Sequence, residues 1–170
     1  METYSEASVE AAGISAKFVQ DNQSFSTAMG TIRGLHFQRP PHAQAKLVRC
    51  VRGSIMDYAV DVRRGSPTYG QYVAAKLTAE RGEQLFVPVG FAHGFVTLEP
   101  NVEISYKVSD VYSPECDGGI VWNDPTIGID WPLPESGAVM SDKDKILPPL
   151  AEFDSPFEYG GRPLEPLPAL

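Results

Sequence analysis

The residue type best suited to acid–base chemistry at neutral pH is scarce in this chain, which has three histidines among 170 residues. One of them, His36, lies in the segment GTIRGLHFQ, residues 30–38, close to Arg33 and Gly34. Side chains alternate between the two faces of a β-strand, so Ile32, Gly34 and His36 are expected to share one face. A glycine two positions before the histidine indicates either open space beside the imidazole or a bulge next to a buried histidine.

His36 has the properties of a general base, because an unperturbed imidazole titrates at about pH 6.5. Such a base usually has a carboxylate partner that orients it and stabilises its charged form. A proton removed next to a carbonyl leaves an enolate, and Lys46 or Arg33 is a candidate cation for its oxygen. Tyr106 and Tyr112 are candidate acids that return the proton from the other side. The residues alone leave open whether His36 is catalytic or structural.

A metal centre is not expected from the histidine spacing. Metal sites on β-barrels typically combine two histidines, two positions apart on one strand, with a carboxylate and a more distant histidine. This chain has no such pair, since His36 and His42 are six positions apart and His93 is distant. Two facing thiolates, Cys50 and Cys116, are another route to deprotonation, but Cys50 lies in an alternating strand pattern where a small core residue is expected.

Length and charge limit the classes of protein to consider. A chain of 170 residues with 42% hydrophobic and 21% charged residues is typical of one globular domain. The net charge of −8 argues against nucleic-acid binding. Five basic and no acidic residues lie between Arg33 and Arg52, which indicates a site for a phosphate or nucleotide, or else the wet face of a strand. No leader and no long apolar run is visible, so a cytoplasmic protein that does not bind membranes is expected.

Alternating apolar residues and regular turns predict an all-β fold. The segment KLVRCVRGSIMDYAVDVR, residues 46–63, indicates two strands folded back at Gly53-Ser54, and a further hairpin is expected to turn at Pro100-Asn101. Turn signals recur about every ten residues, as in a sandwich or barrel. This rhythm and the chain length fit a cupin-type jelly-roll barrel.

Helix is expected only in short pieces. SEASVEAAG, residues 5–13, predicts a helix closed by Gly13, and SDKDK, residues 141–145, predicts a short turn with Ser141 as N-cap. The end of the chain is rich in Gly and Pro. We therefore predict one domain over residues 1–152, followed by a tail over residues 153–170.

Long segments of the chain resemble the dTDP-4-dehydrorhamnose 3,5-epimerase family. The similarity runs from about Glu2 to about Glu152 and is carried by GTIRGLHFQRPPHAQAKLVRCVRGSIMDYAVDVRRGSPTYGQY, FVPVGFAHGFVTLEP, YKVSDVYSPECDGGIVWNDPTIGIDWP and SDKDK. The resemblance implies a cupin-type jelly roll that works as a homodimer without metal or cofactor. It also implies an isomerase that epimerises C3 and C5 of dTDP-4-dehydro-6-deoxy-D-glucose. The product, dTDP-4-dehydro-L-rhamnose, is the precursor of dTDP-L-rhamnose for surface polysaccharides.

By the same resemblance, four side chains carry the chemistry. His36 in RGLHFQ is the base, Asp144 in SDKDK is its carboxylate partner, and Tyr106 in SYKVSD is the acid on the opposite face. Lys46 in AQAKLVRC is the cation near the C4 oxygen. Further positions resemble the family's substrate contacts: Glu2, Gln20, Asn22, Arg33, Gln38, His93, Asp117 and Lys143.

Two departures from the family pattern define the alternatives. Family members usually have a longer N-terminal segment with a motif similar to DxRGxFxE, of which Glu2 remains, so a change in nucleotide affinity and in the strand-exchanged dimer is expected. Val111 stands where many members have a tyrosine, which leaves open an epimerase of C3 alone or of C5 alone. A ketoisomerase of the same substrate is a more distant alternative. The last alternative is a protein that binds the sugar nucleotide without turnover, although binding alone does not require all four catalytic candidates.

Overall fold

A computed structural model describes residues 1–161 of the chain. Its strands are β1 (Gln20–Ser26), β2 (Ile32–Gln38), β3 (Lys46–Arg52), β4 (Ser54–Asp61), β5 (Tyr72–Thr78), β6 (Gln84–Val87), β7 (Phe91–Thr97), β8 (Val102–Val108) and β9 (Asp117–Gly119). The helices are α1 (Glu6–Ala11), α2 (Asp142–Lys145) and a 3-10 turn, Leu150–Glu152. Within these residues, no helix has the length and apolar character needed to cross a membrane.

The strands form two antiparallel sheets that face each other. One has the order β1-β8-β3-β6 and the other β5-β4-β7-β2-β9. Apolar side chains from both sheets pack between them, among them Val48 and Ile104 from the four-stranded sheet and Ile55 and Phe95 from the five-stranded sheet. The predicted all-β jelly roll with a few short helices is therefore confirmed.

The two predicted hairpins are wrong, although their strands lie where the sequence predicts them. β3 and β4 flank Gly53, and β7 and β8 flank Asn101, yet the strands of each pair belong to different sheets. Both turn residues have positive φ, 79° at Gly53 and 58° at Asn101. A tight turn of this kind serves a hairpin and a corner between sheets alike, and only the pairing partners of the strands distinguish the two.

Both short helices form as predicted, and both begin at a serine cap. The Ser5 side chain accepts a hydrogen bond from the Ser8 N–H at the start of α1, and Gly13 follows its end with φ 81°. The Ser141 side chain accepts from the Asp144 N–H at the start of α2. This second cap fixes the position of an aspartate that the sequence marks as a functional candidate.

The outer face of the five-stranded sheet is covered by the C-terminal part of the chain. Phe153 and Phe157 are only 8% and 6% exposed, so the first residues of the predicted tail belong to the packed domain. Residues 162–170 of that tail lie outside the described residues. The apolar cluster under the cover includes Ile32, Leu35, Phe37, Val60, Val96, Ile120, Trp131, Leu150, Phe153 and Phe157, with Trp122 packed against it.

Candidate active site

Arg33 and His36 lie on the same face of β2 although they are three positions apart. In the antiparallel β2–β7 pair, Arg33 lies opposite Phe95 and His36 lies opposite His93, with an irregular register between them. Directly opposed side chains point to the same face, and Phe95 and His93 are two positions apart on β7. One extra residue is therefore inserted into β2. Because Phe95 packs in the core between the sheets, Arg33 and His36 also face that space.

Gly34 allows β2 and β7 to approach each other closely, and it does not create an open space. Its φ is 136°, in a region that favours glycine, and a Cβ at this position would lie 2.5 Å from the Cα of Gly94. The prediction that the glycine itself opens space beside the imidazole is therefore wrong, whereas the predicted bulge is confirmed. The histidine next to the bulge is 29% exposed rather than buried, and it lines a cavity formed by other residues. The bulge also places Ile32 and His36 on opposite faces of β2, since Ile32 packs in the apolar cluster under the C-terminal cover of the five-stranded sheet.

His36 is hydrogen-bonded to Asp144, which is 108 positions further along the chain. The Nε2–H of His36 donates to Oδ1 of Asp144 at 2.7 Å. Burial raises the pKa of Asp144, but the bonds from His36, from Ser141 and from the Gly34 N–H outweigh it, and the pKa lies below its usual value. The His36 side chain is 29% exposed, and its Nδ1 makes no hydrogen bond with residues 1–161. That nitrogen is available to accept a proton from a ligand.

A polar cavity of about 260 Å³ lies beside this pair, between the two sheets. It receives side chains from five strands, so its shape depends on the barrel as a whole. The residues that line it are Asn22, His36, Phe37, Gln38, Gln44, Lys46, Tyr106, Tyr112 and Asp117. The structure therefore brings His36, Lys46 and Tyr106 together at one cavity, with Asp144 bonded to His36.

Lys46 and Tyr106 have pKa values shifted by burial in the cavity wall. Burial lowers the pKa of Lys46 to about 8, against the opposing effect of the charges of Asp117 and Asp57. Burial raises the pKa of Tyr106, while the nearby positive charge of Arg33 acts in the other direction. Tyr106 is therefore a neutral proton donor at pH 7. Lys46 is largely protonated at that pH and loses its charge more readily than an exposed lysine.

A second histidine–aspartate pair lies next to the first, deeper in the barrel. The Nε2–H of His93 donates to Oδ1 of Asp57 at 2.7 Å, with the side chains 8% and 0% exposed. His93 does not line the cavity, whereas Asp57 acts on Lys46 by its charge. Oδ2 of Asp57 is buried without a hydrogen-bond partner among the described residues. Sequence reasoning missed Asp57. The signal that could have found it is an acidic residue at an inward position of the apolar strand SIMDYAVD.

The predicted substrate contacts fall into three groups. Asn22, Gln38 and Asp117 line the cavity, and Gln20 donates to the side chain of Asn22 at 2.9 Å. Arg33 borders a second cavity of about 280 Å³ that also contains Asp144, and Lys143 forms an ion pair with Asp117 at the rim of the first. Glu2 lines neither cavity, and its side chain accepts a hydrogen bond from Ser8 at 3.4 Å.

Metal-binding side chains are not gathered anywhere in the described part of the chain. Across residues 1–161, no three His, Cys, Asp or Glu side chains form a group that would hold a metal ion. His36, His42 and His93 each have a separate aspartate, Asp144, Asp110 and Asp57 respectively. The three histidines therefore do not converge on one point.

Fold and cavity together define a cupin-type jelly-roll protein whose polar site is rich in groups that exchange protons. The sequence profile of the dTDP-4-dehydrorhamnose 3,5-epimerase family matches residues 1–152. The chain belongs to this family and is an isomerase. The matched residues include every strand of the two sheets and every residue that lines the cavity.

Individual relatives agree with the family profile. A dTDP-4-dehydrorhamnose 3,5-epimerase from Sinorhizobium fredii is 57% identical over 141 residues, which cover 83% of this chain and 72% of that protein. A dTDP-6-deoxy-D-glucose-3,5-epimerase from Legionella pneumophila, solved with dTDP-4-keto-L-rhamnose, has a TM-score of 0.88 and 40% identity, covering 94% of this chain and 85% of its own. A dTDP-4-dehydrorhamnose 3,5-epimerase from Bacillus anthracis, solved with TDP and PPi, has a TM-score of 0.83 and 47% identity, covering 87% and 83%.

Proposed function

We propose that this protein converts dTDP-4-dehydro-6-deoxy-D-glucose to dTDP-4-dehydro-L-rhamnose by inverting C3 and C5, in the synthesis of dTDP-L-rhamnose for surface polysaccharides. The observation that carries the proposal is the 2.7 Å bond between His36 and Asp144 at a cavity lined also by Lys46 and Tyr106. The dTDP-4-keto-L-rhamnose bound to the Legionella relative supports the substrate class.

Proton removal is the task of His36 in this proposal. Its Nδ1 takes a proton from the carbon next to the C4 ketone, and the electron pair of that C–H bond moves to the C4 oxygen as an enolate. Asp144 stays ionised at neutral pH because its pKa is lowered, so it stabilises the imidazolium that forms. The bond through Nε2 also fixes the tautomer in which Nδ1 carries the lone pair.

Lys46 stabilises the enolate oxygen, and Tyr106 supplies the new proton. A cation held in a half-buried wall interacts more strongly with a developing negative charge than it would in water. Tyr106 lies on β8 of the four-stranded sheet, whereas His36 lies on β2 of the five-stranded sheet. A sugar ring held between the sheets therefore meets the base on one face and the acid on the other, which inverts the carbon.

The same groups serve both carbons, because C3 and C5 both flank C4. One inversion leaves His36 protonated and Tyr106 deprotonated. A proton must then pass from the histidine to the tyrosine through solvent before the second carbon reacts. The cavity is polar and open to water at Tyr112, whose side chain is 57% exposed, so this exchange has a route.

The nucleotide sugar is the partner that we expect at this site, with Arg33 and Lys143 near its negative charges. Arg33 lines the second cavity, and Lys143 is paired with Asp117, which lines the first. The family implies a homodimer in the cytoplasm. Nucleic acid is not an expected partner, since the chain carries a net charge of −8.

The proposal is tested by proton NMR in D₂O with dTDP-4-dehydro-6-deoxy-D-glucose, following deuterium entry at C3 and at C5. Deuterium at both carbons supports the 3,5-epimerase, and a chelator is expected to leave both rates unchanged. Deuterium at one carbon assigns a monofunctional epimerase, the alternative that Val111 raises. Binding of the substrate without exchange would contradict the proposal.

A further inference from the structure

The segment that connects β8 to β9 forms one edge of the cavity through Tyr112. Residues 110–113, which we call the Tyr112 loop, belong to no strand or helix. Within residues 1–161, the backbone groups of residues 110–112 make no hydrogen bond with another backbone group. Val111 and Tyr112 are 50% and 57% exposed, so little apolar packing holds the loop. Something other than a β-ladder must therefore fix the wall that Tyr112 provides.

Gln38 makes the most bonds to this loop. It is the last residue of β2, two positions after His36, and is only 4% exposed. Its amide N–H groups donate to the carbonyl of His42 at 2.7 Å and to the carbonyl of Val111 at 3.1 Å. Its Oε1 accepts from the N–H of Ser113 at 2.8 Å. Both hydrogens of a buried amide are thus used by the protein itself.

Two further glutamines complete the set. Oε1 of Gln20 accepts from the N–H of Tyr112 at 3.2 Å, and Nε2 of Gln44 donates to the carbonyl of Asp110 at 2.8 Å. Each residue of the Tyr112 loop therefore has one backbone group bonded to a glutamine side chain. Gln20, Gln38 and Gln44 come from three separate segments of the chain. Gln38 and Gln44 line the cavity, and Gln20 is bonded to Asn22, which lines it as well. We call these three residues the glutamine clamp.

We propose that Gln38, with Gln20 and Gln44, positions the Tyr112 loop as a wall of the substrate cavity, so that Gln38 acts through Tyr112 rather than as a ligand of the sugar. Gln38 shares its strand with His36, so the clamp sets the distance between the base and the opposite wall. A buried amide that loses its partners is unfavourable, which makes the clamped position of the loop the stable one.

Hydrogen exchange measures the clamp independently of activity, and a kinetic comparison measures its consequence. The first variant is Gln38→Met, which keeps the length of the side chain and removes all three bonds. The matched control is Gln84→Met, since Gln84 is an exposed glutamine that donates to the carbonyl of Thr3 at 2.7 Å, away from the cavity. The milder variant Gln44→Met removes one bond and is used where Gln38→Met does not fold.

In Gln38→Met, the amides of Tyr112 and Ser113 are expected to exchange about tenfold faster, the effect of losing roughly one net hydrogen bond, while β3 and β7 keep their protection. In Gln44→Met the same amides change in the same direction by less. Gln84→Met leaves them unchanged. If the loop amides of Gln38→Met exchange at the same rate as those of the parent protein, the clamp is overturned. Gln44→Met is judged in the same way if Gln38→Met does not fold.

The kinetic arm rests on the proposed function. Gln38→Met is expected to raise KM about tenfold with a smaller change in kcat, and to add little in a Tyr112→Ala background because both changes disturb one wall. Two results would overturn a role through Tyr112. One is an unchanged KM in Gln38→Met, and the other is a rise in KM in the Tyr112→Ala background as large as the rise in the parent. If the parent protein does not turn over the substrate, the proposed function fails, whereas the exchange data still decide whether the clamp exists.

Discussion

His36 and His93 are partners across the β2–β7 pair, and each imidazole is bonded to its own aspartate at 2.7 Å. The two side chains differ in exposure, 29% for His36 and 8% for His93. One ring therefore reaches the cavity while its neighbour is enclosed behind it. We therefore assign proton removal to His36 alone, since its ring lines the cavity and that of His93 does not.

Asp144→Asn tests the carboxylate partner of the base. The amide has the same shape but does not stabilise an imidazolium, so deuterium exchange at C3 and C5 should fall roughly a hundredfold or more while substrate affinity changes little. Steady-state kinetics together with a binding measurement checks this. Asp142→Asn, on the same helix and 98% exposed, is the matched control and should keep its activity. Comparable rates in both variants would remove Asp144 from the mechanism.

Tyr106→Phe tests the acid on the opposite sheet. Loss of the hydroxyl should slow inversion more than it slows exchange of the acidified proton, because His36 still removes that proton and can return a deuteron to the same face. The measurement compares deuterium entry with product formation in one NMR time course. Tyr72→Phe, on β5 and outside the cavity, serves as the control. If exchange and inversion fall equally, Tyr106 is not the acid.

Lys46→Met should reduce turnover and raise stability together. The folded-state pKa of Lys46 is about 8 and the ordinary value is 10.5, so keeping the charge in the folded protein at pH 7 is unfavourable by roughly 3 kcal/mol. Between these values the unfolded chain binds more protons, so stability of the parent rises with pH from about 8 to 10.5.

The measurement for Lys46 is the free energy of unfolding from denaturant titrations at pH 7 and pH 10. Lys46→Met should be more stable than the parent at pH 7, and the difference should shrink at pH 10. Lys76→Met, at an exposed position on β5, should show neither effect. A destabilised Lys46→Met at pH 7 would contradict the burial of this charge.

Asp61→Asn tests a buried network that supports the sheet away from the cavity. Asp61 is fully buried and accepts bonds from Arg63, Ser66 and Thr68, which overcome the effect of burial and lower its pKa to about 2. Because the folded pKa is below the ordinary 3.8, the stabilisation is fully present above about pH 4 and is lost as pH falls toward 2.

Asp61→Asn should therefore lower the free energy of unfolding by about 3 kcal/mol at pH 7 and flatten its dependence on pH between 4 and 2. Denaturant titrations across that range measure both quantities. The comparison variant is Asp154→Asn, because Asp154 is 96% exposed and pairs with Arg64 at 3.7 Å on the surface. A pH dependence equal to that of the parent would show that Asp61 does not stabilise the fold in this way.

The positions of the strands could be predicted from the sequence, but their partners could not. Alternating apolar residues marked β3 and β4 correctly, since a half-buried strand needs that period wherever it pairs. The turn at Gly53 has the same local form in a hairpin and in a corner between sheets. Which of the two it forms is decided by contacts far apart in the chain.

The candidate site was predicted only in part for a similar reason. A period of two placed His36 on the face of Ile32, and the inserted residue at Gly34 and Leu35 reversed that relation. The bond between His36 and Asp144 spans 108 positions, and no local spacing indicates it; the expectation came from the resemblance to a family. Asp57 was missed because a strand aspartate usually faces solvent.

The most direct measurement is deuterium exchange at C3 and C5 of dTDP-4-dehydro-6-deoxy-D-glucose in D₂O by the parent and by His36→Ala, with the dissociation constant for dTDP measured on both. We expect exchange at both carbons in the parent and a loss of roughly a hundredfold or more in the variant, with the dissociation constant unchanged. Exchange by His36→Ala at a rate near that of the parent would contradict the assignment of His36 as the base.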